Sequence, residues 1–161
     1  MRYKVVPEPT DWELLIEVGE ALPLVPGSVE DCCTRIRDRT ALASRDEARE
    51  WLTFAQAVGL AVETDRGFHR ARETPDEDDL RAAFRSNVFG AREVLDALAA
   101  GEPLTTTAAF EAVRDIVPRW ERSRHADWES EWQDRTARVL AWSREFGLAE
   151  RTAEGYVPAD R

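Results

Sequence analysis

The segment AREWLTFAQAVGLAVETDRGF, Ala48 to Phe68, aligns without a gap on TARVLAWSREFGLAERTAEGY, Thr136 to Tyr156, at an offset of 88 residues. Leu52 falls on Leu140, Gly59-Leu60-Ala61 on Gly147-Leu148-Ala149, Thr64 on Thr152 and Gly67 on Gly155. Aromatic residues meet at Phe54/Trp142 and Phe68/Tyr156. Self-similarity at a fixed spacing means that one supersecondary unit is used twice, which restricts the chain to architectures with two related halves.

Each copy reads as a helix, a glycine stop and a hairpin. Ser44 stands three residues before Glu47, the spacing of a helix-start capping box. Ala48, Trp51, Leu52, Ala55 and Val58 then recur with the 3.6-residue period of a buried face. Gly59 suits the left-handed helix stop, and Asp65-Arg66-Gly67 is a turn between two short extended runs. The second copy repeats this with Val139, Leu140, Trp142 and Phe146, then Gly147, then a turn at Ala153-Glu154-Gly155.

The front halves are read to match. Thr10 and Glu13 suggest a cap for a helix carrying Leu14, Leu15, Val18 and Leu22, broken at Pro23, Pro26 and Gly27. Ser28 caps a second helix to about Arg39, with Val29, Cys32 or Cys33, and Ile36 inward. In the second copy, Phe89 to Ala100 is a helix stopped at Gly101. Glu102-Pro103-Leu104 fits a short strand, and Thr105-Thr106-Thr107 caps a helix with Phe110, Val113, Ile116 and Val117 inward.

Helix, short strand, two helices and a hairpin is an order that resembles the winged helix-turn-helix superfamily. With the Gly-Leu-Ala, turn, Gly-aromatic signature at both sites, the chain is similar to tandem winged-helix proteins of extremely halophilic archaea. The resemblance implies a mainly α fold with short β-hairpins (α+β), as two winged-helix-like units in tandem. Unit 1 is expected over residues 1–73, a connecting helix with a Thr74-Glu77 cap over 74–87, and unit 2 over 88–161 with a Trp-rich insert at 118–132. Two unrelated helix-hairpin units, or one larger helical domain, are the alternatives.

The chain carries 32 acidic and 22 basic residues, a net charge of −10, and Lys4 is its only lysine. Acidic excess of this kind keeps a surface hydrated at high salt, as in cytoplasmic proteins of salt-accumulating halophiles. No apolar run approaches the roughly twenty residues of a membrane span, and the first residues lack a signal-peptide core. A cytoplasmic location without membrane contact is therefore expected.

Catalysis and metal binding find little support. The two cysteines are the adjacent pair Cys32-Cys33, which rules out a disulfide framework, and with His69 and His125 they show no zinc-ligand spacing. There is no phosphate loop and no nucleophile elbow. His125 and Asp127 read as a solvated charged stretch. We expect no cofactor and no enzyme.

Function then follows from what winged helices do, which is argument by fold analogy. When a winged helix binds DNA, the third helix enters the major groove and the wing touches the backbone or minor groove. In unit 1 the face opposite the core carries Arg45, Arg49, Thr53 and Gln56, including the residue types that pair bidentately with guanine and adenine. The wing adds Arg66, His69, Arg70 and Arg72, while Asp46 and Glu50 sit beside the helix face. Unit 2 offers Asp134, Arg138, Ala141 and Glu145 and an acidic wing tip, so it reads as a contact for a protein partner or a second copy. Trp120, Trp128 and Trp132 with Arg138 are the expected anchors, since tryptophan and arginine are enriched at protein interfaces. The expectation is a DNA-associated protein, such as a transcriptional regulator, reading through unit 1. The alternative is a tandem winged-helix scaffold that binds protein alone.

Overall fold

A computed structural model describes residues 2–124 and 126–159. The chain divides into two compact units, Met1–Val88 and Phe89–Arg161. The first holds helices α1 (Trp12–Ala21), α2 (Val29–Arg39) and α3 (Arg45–Ala57), strands β1 (Ala61–Thr64) and β2 (Gly67–Arg70), and helix α4 (Glu77–Asn87). The second holds α5 (Ala91–Leu98), α6 (Thr106–Arg114), α7 (Arg119–Arg124), α8 (Trp128–Glu145), β3 (Ala149–Thr152) and β4 (Gly155–Pro158).

The repeat is real at the level of backbone hydrogen bonds. Gly59 and Gly147 close α3 and α8 with φ of 91° and 73°, values that a side chain disfavours. Each hairpin is antiparallel, pairing Ala61 with Arg70 and Ala149 with Pro158 at its open end. A third short strand flanks each one: Gly27 exchanges bonds of 2.9 and 2.8 Å with Phe68, and Leu104 exchanges 2.8 and 2.9 Å with Tyr156. Gly67 and Gly155 lie where a Cβ would sit 2.2 Å from the Gly27 oxygen and 2.7 Å from the Leu104 oxygen. Only glycine lets the two backbones approach so closely. Helix, short strand, helix, helix, hairpin is thus the order of unit 1 before α4, and unit 2 repeats it with α7 added before α8.

The third helices form because one stripe of each is apolar and its start is capped or packed. Ser44 accepts from the Glu47 amide at 3.0 Å, and the inner face of α3 buries Ala48, Trp51, Leu52, Phe54 and Ala55. Each large apolar side chain so buried contributes roughly 1.5–3 kcal/mol. α8 buries Trp132, Val139, Leu140 and Trp142 in the same way. Both cysteines of α2 are buried beside Ile36.

Several expected details move. Asp11, not Thr10, caps α1, accepting from Leu14 at 2.9 Å. The cap of α4 is the reciprocal Asp76/Asp79 pair in place of Thr74/Glu77. α4 packs within unit 1, where Phe84 meets Phe54 edge-on at 6.4 Å and the Asn87 side chain donates to the Ala57 carbonyl. α5 starts only after Gly90, whose φ of 86° cannot continue a helix from Phe89. Ile116 is exposed. The Trp-rich insert divides, its first part forming α7 and its end the first turn of α8. Among the described residues no helix is long and apolar enough to cross a membrane.

Candidate nucleic-acid interface

In unit 1, α2 and α3 are joined by the turn at 40–44, and the face of α3 away from Trp51 and Leu52 is open to solvent. Arg45 and Arg49 are exposed there, and Thr53 and Gln56 are half-buried one and two turns on. Neither the Arg49 guanidinium nor the Gln56 amide makes a hydrogen bond or ion pair among the described residues, although Arg49 helps to hold down the Glu30 carboxyl. The Thr53 hydroxyl donates to the Arg49 carbonyl at 3.1 Å. Arg45 is committed differently, because its guanidinium grips both carboxylate oxygens of Glu30 on α2. That hydrogen-bonded arginine holds the Glu30 carboxyl below the usual carboxylate range and raises Arg45 in turn. Asp46, Glu47 and Glu50 outnumber the two arginines of α3, so this face attracts phosphate only through local contacts.

The wing supplies less than its composition suggests. Arg66 stands exposed at the tip, where Thr64 accepts from the Arg66 amide at 3.1 Å and fixes the turn. Arg72 is exposed past the end of β2. Arg70 is turned away from the tip, donating to the carbonyls of Glu20 and Leu22 at the end of α1. His69 is 7% exposed, and its Nδ1 lies 2.7 Å from the Arg70 carbonyl, so it serves the base of the hairpin. The structure therefore brings together Arg49, Thr53 and Gln56 on one helix face, with Arg66 on the hairpin of the same unit, and removes Arg70 from the wing surface.

The expected anchors of unit 2 separate by burial. Trp132 is 2% exposed, edge-on to Phe89 at 5.2 Å and under the Arg135 guanidinium at 4.6 Å. It is a core residue, a correction that follows from α8 starting four residues earlier and turning this ring inward. Trp128 is half-buried against Phe110 at 6.1 Å, with Arg114 and Arg122 over its ring at 5.7 and 5.0 Å. Arg138 is half-buried. Trp120, 54% exposed on α7, is the one of the three rings that offers a large open face. His125 lies outside the described residues.

One feature escaped sequence reasoning. Leu24 and Val25 are 77% and 73% exposed and border a cavity with Arg66, His69 and Arg72. The signal was available, because two aliphatic residues enclosed by Pro23 and Pro26 can enter neither a helix nor a ladder.

Each unit thus has a short strand pinned to its wing. The chain matches the halobacterial double winged helix domain over residues 1–161. It belongs to that family. No curated protein and no solved structure matches it. Membership in the halobacterial double winged helix family accounts for the acidic, lysine-poor composition together with the duplicated frame. Winged helices as a class are suited to DNA-binding or regulatory roles.

Proposed function

We propose that this protein associates with DNA through α3 and the β1–β2 wing of its first unit, in the manner of a transcriptional regulator. The observation that carries the reading is that Arg49 and Gln56, on the solvent face of α3, make no side-chain hydrogen bond or ion pair among the described residues, in a unit whose wing tip is Arg66. Arginine and glutamine make the bidentate contacts that distinguish guanine and adenine in the major groove, and a wing arginine positions the protein on phosphate. Net acidity does not exclude this, because in molar salt long-range repulsion is screened and close contacts remain. Arg45 joins the contact only when DNA displaces Glu30.

The test is retardation of random-sequence duplexes in about 2 M potassium chloride. Arg49→Ala and Arg66→Ala are expected to weaken binding several-fold, and Glu30→Ala, which frees Arg45, to strengthen it. Absence of retardation by the unaltered protein at every salt concentration sinks the reading.

The second reading is a scaffold that binds protein alone, favoured by the open face of Trp120 on α7. It predicts that the intact protein elutes as a dimer or complex and that Trp120→Ala returns it to a monomer. Identical monomeric elution of both removes homodimerisation through this ring.

A further inference from the structure

Unit 1 contains a cavity of about 410 Å³ that neither reading uses. Its apolar wall is made by Ile16, Leu60, Ala71 and Pro75, and its charged groups are Glu20 and Arg70. Gly19 on α1 lets the Leu60 side chain pack close beside the cavity, since a Cβ there would lie 3.4 Å from it. Arg70 is held in place by the bonds of its Nη2 to the Glu20 and Leu22 carbonyls, while its Nη1 makes no hydrogen bond among the described residues. The Glu20 carboxylate makes no hydrogen bond or ion pair among the described residues and does not pair with Arg70, although both border the same space. Two opposite charges beside one apolar wall, each with capacity left over, define a ligand chemistry.

We infer that this cavity binds a small aliphatic zwitterion of the α-amino-acid type. The carboxylate meets Arg70, the ammonium meets Glu20, and the aliphatic side chain lies on Ile16, Leu60 and Pro75. A ligand with a carboxylate alone faces Glu20 as a like charge, and an amine alone faces Arg70. Only a molecule with both satisfies the two groups. The volume lies at the small end of the roughly 300–1,000 Å³ usual for small-molecule sites, and such sites combine an apolar lining with a few convergent polar groups.

The inference is independent of DNA binding, and its test contains no DNA. L-leucine and L-valine are titrated into the full chain while the backbone amide resonances of Gly19, Leu60 and Ala71 are followed. Saturable shifts are expected, with 4-methylpentanoate and 3-methylbutylamine, which each lack one charge, binding at least about tenfold more weakly than leucine. Glu20→Gln, at an exposed side chain without a bond, is expected to weaken leucine about two- to fivefold and leave 4-methylpentanoate no weaker. Ala71→Leu fills the cavity and should abolish every shift. Unsaturated or absent shifts with both amino acids overturn the assignment, as does equal binding of the one-charge analogues or a Glu20→Gln variant that binds leucine unchanged.

Discussion

Cys32 and Cys33 adjoin on α2, yet both are buried, and burial pushes the Cys32 thiol up to about 11. A thiol with so little thiolate at neutral pH is a packing group, so alkylation by iodoacetamide at pH 7 is expected only after denaturation. The folded value lies above the ordinary 9.0, so the unfolded chain releases this proton first. Its contribution is therefore complete below about pH 9 and lost as pH rises toward about 11, and alkaline melting of Cys32→Ala beside the parent should show the difference. Tryptophans separate by the same criterion of burial. Trp132→Ala should cost about 3–5 kcal/mol in chemical denaturation, whereas Trp120→Ala should cost under about 1 kcal/mol.

At the scale of elements, the wings depend on a backbone contact more than on any side chain. Gly67→Ala and Gly155→Ala each drive a methyl into the neighbouring short strand, where the gaps are 2.2 and 2.7 Å. Both should destabilise their own hairpin by more than about 3 kcal/mol, visible as lost amide protection at Phe68 or Tyr156. Ser44→Ala should cost α3 about 1 kcal/mol through one lost cap, with denaturant midpoints as the check. Those glycines could be read from the chain because they recur with the repeat, and Ser44 because it obeys a local capping rule. The caps at Asp11 and Asp76 could not, since neighbouring oxygen-bearing residues satisfy the same spacing and only backbone geometry selects among them. Arg70 was read as a wing cation because its acceptors lie about fifty residues away, beyond any local pattern. The tryptophans of 118–132 were ambiguous for a related reason, as a ring's burial depends on which turn of α8 carries it.

For the whole molecule, net charge and duplication set the behaviour. A charge of −10 repels itself at low salt, so raising potassium chloride from about 0.2 to about 2 M should lift the thermal midpoint by several degrees. A midpoint that falls or stays level contradicts this. Unit 1 has its own core around Phe54 and Phe84, and a fragment ending at Val88 is expected to melt cooperatively. Finally, the two units differ most between their second and third helices, where the first has only the turn at 40–44 and the second accommodates α7. In both, the short strand and the wing on either side are locked by a reciprocal pair of backbone bonds. Loop closure costs only about 0.6 kcal/mol per doubling of length, so extra residues there are cheap. The duplicated frame is therefore a natural display platform, able to accept a foreign peptide between Ala43 and Ser44 as its sister already accepts a helix.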